Sequence, residues 1–370
     1  MSIARRIRSV VLILASLSWL PVLILPAQEP AKTDPSKAEK ILLKDFRPVS
    51  RYKIPRTKVP KARYPAIDVH GHDYAKTEEE VARWVETMDK VGIEKMIVMT
   101  QSTGPRFDQI AAKYKKYPER FQLWCGLNLT DHDQPGFGQA AAAELERCYR
   151  AGARGVGEIS DKGLGVINQD PKAPGLHLDD PRLAPLFEKC ADLHIPINLH
   201  VGEPIWFYLP MDEKNDGLMN AYHWRLDNKT NLLSHAEIIQ VLENVLKRHP
   251  RTTIIACHYA NCEYDFSILA RLLDTYPNLY SDISGRYEET APIPRTTSNF
   301  ITKYQDRLLY GTDMGRGQGA YEFSFHILET LDEAFYENGY RYHWQYYGFG
   351  LEDAILKKLY QTNALKILAK

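Results

Sequence analysis

The sequence has no excess charge of either sign and no cysteine pattern suited to a disulfide framework. Lysine plus arginine and aspartate plus glutamate both number 47, so net charge favours neither nucleic acid nor an anionic membrane surface. The five cysteines are odd in number and lie scattered in apolar segments, which favours buried thiols over disulfides. No internal repeat, charged tail or coiled-coil heptad is present, so a purely structural role has no support.

What the chain does have is enough apolar sequence to bury a large core. It is 370 residues long, with 44% hydrophobic and 25% charged residues, values typical of a globular domain. This length fits one large α/β domain or two smaller ones.

Residues 1–27 are predicted to be a signal peptide outside the folded domain. A basic start, MSIARRIRS, precedes the apolar run VVLILASLSWLPVLILPA, and Ala27 supplies a small residue for cleavage. This order predicts a protein that is exported, to the periplasm or as a secreted protein. An uncleaved membrane anchor is the alternative because the run nearly reaches spanning length, although Pro21 and Pro26 count against it. No membrane association beyond this segment is expected.

The rest of the chain is predicted to be a tether and extended lead-in, residues 28–63, followed by a single domain, residues 64–370. In that domain eight short apolar runs alternate with helical patterns, and several runs are continuously hydrophobic, as buried parallel strands are. The eight runs are AIDVHGH, IEKMIVMTQ, FQLWCGLN, ARGVGEI, IPINLHV, TTIIACHY, LYSDIS and LLYGTDM. The alternation predicts an α/β fold of one (β/α)8 TIM barrel.

Two of the intervening segments carry signals for helix ends. TEEEVARWVETMDKVG begins with Thr77 and Glu80 at capping-box spacing and ends at Gly92. SHAEIIQVLENVLKRHP has Ser234 and Glu237 in the same relation and stops before a proline. Both segments are therefore predicted to be helices between strands.

Six side chains that can bind a metal lie at the ends of predicted strands, where barrel active sites are built. In DVHGH, residues 68–72, the two histidines are two positions apart and would project from one face of the first strand. A single strand-end histidine is more often structural, but six such residues at one rim favour a metal site. The set is His70, His72, Glu158, His200, His258 and Asp313. Mixed imidazole and carboxylate ligands suit Zn²⁺ first, then Mn²⁺ or Fe²⁺, rather than calcium.

These motifs resemble the amidohydrolase superfamily, and more closely its amidohydrolase-related (amidohydrolase 2) branch. DVHGH on strand 1, histidines closing strands 5 and 6, and GTD on strand 8 are similar to the superfamily pattern. VLKRHPRTTIIACHYAN, YQDRLLYGTD and LYQTNALKIL are similar to stretches of the branch. The branch includes aminocarboxymuconate-semialdehyde decarboxylase, resorcylate-type decarboxylases and several lactone hydrolases. The resemblance covers residues 64–370 and is not specific for a substrate.

The resemblance implies a role for each strand-end histidine and for the last carboxylate. His70, His72, His200 and Asp313 match the usual ligands of one divalent ion. His258 matches a histidine that contacts the substrate or the metal-bound water.

Glu158 departs from the pattern of the branch. It would either bridge two ions, with His258 binding the second, or accept a hydrogen bond from a neighbouring imidazole. One ion is expected, and a two-ion site is the alternative.

The expected activity is metal-dependent hydrolysis of a small ester, lactone or amide by metal-activated water. Asp313 would be the base and His258 would stabilise the oxyanion. The alternative is a metal-dependent decarboxylase of a small aromatic or unsaturated carboxylic acid, in which Asp313 or His258 delivers a proton to carbon. A non-catalytic metal-binding barrel is a further alternative, and the intact Asp313 and His258 count against it. The expected partner is a small molecule, and a homo-oligomer stays open.

The loop after strand 5, GEPIWFYLPMDEKNDGLMNAYHWRLDN, is the longest in the predicted barrel and is expected to be a lid or binding segment without secondary structure. Its Trp206 and Arg225, together with Arg286 after strand 7, are the candidate substrate-binding residues. Either arginine could pair with a substrate carboxylate or simply be solvated or salt-bridged. Glu203, Asn261 and Asp282 also lie near the rim, where polar residues often only fix loops.

Overall fold

The computed structural model describes residues 35–167, 176–337, 339 and 342–368. The predicted signal peptide, residues 1–27, lies outside the described residues, so its cleavage and the export of the protein stay predictions. The chain divides into two compact units, Met1–Asp45 and Phe46–Lys370. The described part of the first contains a helical turn, α1 (Pro35–Ala38), and a 3₁₀ turn, Leu43–Asp45. Within the described ranges, no helix is long and apolar enough to cross a membrane.

Among its described residues the second unit contains eight parallel strands, and each overlaps one of the eight predicted runs. They are β1 (Ala66–His72), β2 (Ile93–Met99), β3 (Phe121–Trp124), β4 (Val156–Asp161), β5 (Ile197–Val201), β6 (Ile254–Ala256), β7 (Leu279–Asp282) and β8 (Leu308–Leu309). Strands β1 to β3 are paired in sequence order, and so are β4 to β8, with every pairing parallel. Cys125 and Val156 form a parallel bridge that joins the two groups. The predicted (β/α)8 barrel is confirmed.

The junction between β8 and β1 closes the ring through backbone and side-chain hydrogen bonds. The Asp313 amide donates to the His70 carbonyl at 3.0 Å. The buried Asp68 carboxylate accepts from the Thr312 amide at 3.0 Å and from its hydroxyl at 2.6 Å. The same carboxylate accepts from the His70 amide at 3.0 Å. The ends of the first and last strands are therefore fixed to each other at the rim of the barrel.

Helices connect the strands and cover them. They are α2 (Glu78–Val91), α3 (Gly104–Tyr114), α4 (Phe137–Arg150), α5 (Ala184–Asp192), α6 (Leu218–Trp224), α7 (His235–Arg248), α8 (Phe266–Thr275), α9 (Tyr287–Thr290), α10 (Pro294–Lys303), α11 (Gln318–Glu329), α12 (Asp353–Lys357) and α13 (Asn363–Ile367). Both predicted helices are present, and α7 begins with the complete capping box. In α2 the Thr77 hydroxyl accepts from the Glu80 amide at 3.3 Å, whereas the Glu80 carboxylate accepts from the Lys76 amide instead of closing the box.

The segment after β5 is folded, which contradicts the expectation of a loop without secondary structure. It contains a 3₁₀ turn, Ile205–Phe207, and the helix α6. Phe207, Ala221 and Leu226 are buried together and give the segment a small apolar core of its own. These residues are far apart along the segment, so no helical or strand periodicity in the sequence predicts that they are buried together.

The five cysteines are all free and buried, which confirms the prediction of thiols that behave as small apolar side chains. They belong to a core that extends from the strands to the surrounding helices. In α2, for example, Val81, Trp84, Met88 and Val91 form the buried face. Packing of this kind fixes the strand ends and thereby the polar residues that they carry.

Candidate active site

The predicted metal-binding side chains converge at the carboxyl ends of the strands, with the Glu158 carboxylate between the imidazoles. Its Oε1 lies 2.6 Å from His200 Nδ1, 3.6 Å from His258 Nε2 and 3.8 Å from His70 Nε2. Its Oε2 lies 3.7 Å from His72 Nε2. The two oxygens of one carboxylate are thus shared between different imidazoles.

Asp313 supplies a second carboxylate on the cavity side of the cluster. Its Oδ1 lies 3.3 Å from His72 Nε2 and 3.9 Å from His70 Nε2, and its Oδ2 lies 3.8 Å from His258 Nε2. The Tyr74 hydroxyl donates to Asp313 Oδ1 at 3.1 Å, a contact that the sequence pattern did not predict. Together with Glu158, Asp313 encloses a space that all three of these Nε2 atoms face.

Three of the four imidazoles are oriented by acceptors on the side away from the cluster, whereas His200 directs Nδ1 at Glu158 and has Nε2 3.6 Å from Glu203. His70 Nδ1 lies 3.1 Å from Asp282 Oδ2, His258 Nδ1 lies 2.7 Å from the Ser284 carbonyl, and His72 Nδ1 lies 3.3 Å from a carbonyl of β2. These acceptors favour the neutral tautomer that carries its proton on Nδ1, which leaves the Nε2 lone pair facing the cluster. Coordination of a metal through Nε2 requires this tautomer.

The donor set fits a divalent metal ion, as the sequence predicted. His70 Nε2 and His200 Nε2 are buried polar atoms without a hydrogen-bond partner in the described part of the chain. Buried polar atoms of this kind are costly unless something binds them. Ligand atoms of His70, His72 and Glu158 all lie within 4.8 Å of one another, and those of Glu158, His200 and His258 do so as well.

The electrostatics of the cluster favour a cation. Burial opposes ionisation of Glu158 and Asp313, but the imidazoles around them outweigh burial and hold both pKa values well below their ordinary range. Burial also disfavours charge on His70, yet the surrounding carboxylates raise its pKa to about 10. Burial, helped by a nearby guanidinium, lowers the pKa of His258 to about 4. Two ionised carboxylates thus lie beside the imidazoles and attract positive charge to the cluster.

Asp282 positions His70 and His258 through hydrogen bonds. It is fully buried at the end of β7, and its Oδ2 accepts from Asn198 Nδ2 at 3.2 Å in addition to its contact with His70. Its Oδ1 accepts from the His258 amide at 3.1 Å and from the Ser284 hydroxyl at 2.6 Å. The sequence interpretation treated it as a rim residue that often only fixes a loop; its position closing an apolar strand was the available signal.

Replacing Asp282 with asparagine should weaken metal binding by about 10–100-fold, because an amide no longer fixes the His70 tautomer as a carboxylate does. Competition with a chromogenic chelator measures this affinity. Asp161→Asn is a matched control, since that buried carboxylate at the end of β4 accepts from the Gly163 and Gly165 amides and from His177. Equal affinities in the two variants would contradict the role given to Asp282.

The cluster opens into a cavity of about 370 Å³. The lining residues are Lys162, His200, Glu203, Phe207, Asn220, Trp224, His258, Gly285, Arg286, Glu288, Glu289, Asp313, Met314 and Tyr342. Arg286, a predicted substrate-binding residue, is therefore placed in the cavity. The other two predicted residues are not among the lining side chains: Arg225 pairs with Asp227 at 2.8 and 2.7 Å, and Trp206 donates to Asp216 at 2.6 Å. Both contacts arise because the segment after β5 folds on itself.

Histidines and carboxylates gathered at the carboxyl ends of a closed parallel barrel define the class of metal-dependent barrel proteins. The chain belongs to the amidohydrolase family, whose sequence profile matches residues 55–370. This match confirms the resemblance found in the strand-end motifs. No curated protein sequence matches the chain.

Several solved structures are similar to this chain. A 2,6-dihydroxybenzoate decarboxylase, solved with 2,6-dihydroxybenzoate, is 18% identical, with 82% of this chain and 99% of that chain covered and a TM-score of 0.50. A 5-carboxyvanillate decarboxylase from Novosphingobium aromaticivorans, solved with manganese, is 16% identical, with 84% and 99% covered and a TM-score of 0.51. An uncharacterised TIM-barrel protein from Bordetella bronchiseptica is 17% identical, with 82% and 97% covered and a TM-score of 0.53. At these identities the likeness shows the fold alone.

Proposed function

We propose that the protein is a metal-dependent enzyme that removes carbon dioxide from a small carboxylic acid. The observation that carries the metal chemistry is the convergence of the His70, His72, Glu158 and Asp313 side chains on one space. Two of the similar structures described above are decarboxylases, and one of them contains manganese, which supports decarboxylation over the hydrolysis expected from the sequence. A cavity of about 370 Å³ is at the lower end of the range for small-molecule sites.

The residues that would hold the ion are His70, His72, His200 and Asp313, with Glu158 beside them. When bound, a divalent ion supplies a fixed positive charge that polarises substrate oxygens and lowers the pKa of water. The mixed nitrogen and oxygen donors suit Mn²⁺, Zn²⁺ or Fe²⁺. Elemental analysis of protein purified without chelator identifies the ion and counts it.

Asp313 and His258 would carry the proton chemistry of decarboxylation. When the carbon–carbon bond breaks, its electron pair stays on the substrate carbon, and that carbon takes a proton. Asp313 lies on the cavity side and would pass to the carbon a proton that it has taken from the substrate or from solvent. His258 is held neutral with its Nε2 lone pair towards the cluster, so it would accept a hydrogen bond and orient the substrate.

Hydrolysis of a small ester, lactone or amide is the second candidate, and the position of Glu158 favours it. Glu158 has imidazoles near both of its oxygens, with His200, His258 and His70 near Oε1 and His72 near Oε2, so it could contribute to the binding of a second ion. In this reaction Asp313 would take a proton from water and later give it to the leaving group.

A substrate panel separates the two reactions. Metal-loaded protein should release carbon dioxide from at least one hydroxybenzoate or unsaturated acid, and metal-free protein should not. Acid release from lactones, esters or amides, without carbon dioxide, would replace the first candidate by the second. A metal content near two ions per chain would support the bridging role of Glu158, and a content near one would oppose it.

A further inference from the structure

One wall of the cavity is acidic and therefore suits a cation better than an anion. Glu288 and Glu289, on α9 after β7, both line the cavity, and their exposed fractions are only 5% and 6%. Tyr342 lines the same wall and donates its hydroxyl to Glu289 Oε1 at 2.6 Å. We refer to Glu288, Glu289 and Tyr342 as the acidic subsite.

One oxygen of the acidic subsite has no partner. Glu289 Oε2 is buried and accepts no hydrogen bond from the described part of the chain. Its position is nevertheless fixed, because Tyr342 holds the other oxygen and itself accepts from Asn220 Nδ2, on α6, at 2.7 Å. A buried carboxylate oxygen without a hydrogen bond is costly, and a donor from outside the chain would remove that cost.

The basic residues of the cavity do not supply that donor. Lys162 forms an ion pair with Glu203, and Arg286 Nη2 lies 3.4 Å from the same carboxylate. Arg286 also donates from Nε to Asn261 Oδ1 at 2.8 Å and from Nη1 to the Gly285 carbonyl at 2.5 Å. Both cations therefore donate their hydrogen bonds to other acceptors, and the Arg286 guanidinium attracts the Glu289 carboxyl only as a nearby charge. Burial and repulsion from the adjacent Glu289 raise the pKa of Glu288 to about 8, and burial also raises the pKa of Glu289. A cation bound beside them would lower both pKa values and favour the ionised carboxylates.

Aromatic faces lie next to these carboxylates. The Tyr342 ring stacks on Trp344 with centroids 4.3 Å apart and planes 13° from parallel. The Trp344 indole donates to the Glu288 carbonyl at 2.9 Å, which fixes the stack to α9. Phe207 adds another aromatic ring to the cavity lining. Aromatic faces attract organic cations, and a neighbouring carboxylate adds a charged hydrogen-bond acceptor.

We propose that the acidic subsite binds a positively charged nitrogen group of the substrate, such as a protonated amine, an amidine or a guanidinium, while the reacting group lies at the metal cluster. The proposal deepens the proposed function and relies on it only in taking this cavity as the substrate site. It assigns Arg286 to the support of Glu203 and Asn261 rather than to a substrate carboxylate.

Calorimetric titration of the metal-loaded protein with benzamidine tests the subsite without turnover. Loading the metal first prevents the cation from binding at the imidazole cluster. Benzamidine should bind more tightly than benzyl alcohol, which has a similar ring and no charge. Glu289→Gln keeps the size of the side chain and should weaken benzamidine binding by about tenfold or more, the effect of losing a charged hydrogen-bond partner.

Glu329→Gln is the matched control. Glu329 is also buried and accepts from a tyrosine, Tyr360, at 2.9 Å, but it does not line the cavity. This variant should bind benzamidine as wild type does. If Glu289→Gln fails to fold, as judged by its melting temperature and metal content, Glu288→Gln takes its place with the same expected loss.

The outcomes distinguish the subsite from the reaction. Equal affinity for benzamidine and benzyl alcohol, or unchanged affinity in folded Glu289→Gln, overturns the subsite whatever the reaction is. Charge-dependent binding through Glu289 supports the subsite even if no member of the substrate panel reacts, in which case only the reaction proposal fails.

Discussion

Protein in which both His70 and His72 are changed to asparagine should lose its metal ion and its turnover. The two Nε2 atoms face the carboxylates of Glu158 and Asp313, and asparagine is too short to place a donor atom at the same points. Without the ion, turnover should fall on the order of 10³-fold or more, since polarisation of the substrate depends on it. Elemental analysis and assay of the same preparation measure both losses.

A control for the removal of two imidazoles is available in the same chain. His177, which pairs with Asp161, and His249, which pairs with Glu188, lie outside the cluster. Changing both to asparagine should leave the metal content at the wild-type value. Full metal content in the His70 and His72 double variant would show that the ion is bound elsewhere.

Asp313→Asn should lower turnover by about 10²–10⁴-fold while the protein keeps much of its metal, because the amide can still offer an oxygen but cannot exchange a proton. The metal content of each preparation must be measured, since loss of the ion would lower the rate further. Steady-state assays on the best substrate of the panel give the comparison. Asp306→Asn, which changes an exposed carboxylate paired with Lys358, is the control and should be neutral.

If the Asp313→Asn variant retained both its metal and nearly normal turnover, Asp313 would have no role in the proton transfer. His258 would then be the candidate for the proton transfer, since its Nε2 lies 3.8 Å from Asp313 Oδ2 and also faces the cluster. This result would leave the fold and the metal site unchanged.

The barrel, and the convergence of most residues of the candidate metal site, could be predicted because both depend on local sequence. A buried parallel strand needs a continuous apolar run, and a polar residue such as His200 or Asp313 that ends the run is placed at the rim by the fold itself. The histidines of β1 were predictable for the same reason, since a strand projects residues two positions apart to one side.

The features that the sequence did not predict depend on contacts between distant segments. Asp282 resembles any polar strand end until its hydrogen bonds to His70 and to the His258 amide are seen. Arg225 was a candidate for substrate binding because no periodic pattern in the sequence shows that the segment after β5 folds. In the structure this folding pairs Arg225 with Asp227. The unpartnered oxygen of Glu289 is likewise a property of the assembled cavity.

The hydrogen bonds between β8 and β1 would couple metal binding at the candidate site to closure of the ring. Asp313 contributes its side chain to the cluster and donates its amide to the His70 carbonyl, so an ion bound by both residues would be held across the junction where the first and last strands meet. An ion bound only by the closed ring adds about 1.4 kcal/mol to the free energy of unfolding for each tenfold rise in its concentration above Kd. A chain that ends before β8 would lack both a metal ligand and the strand that closes the ring, so a nascent chain becomes able to bind metal in full only after its last strand has been made.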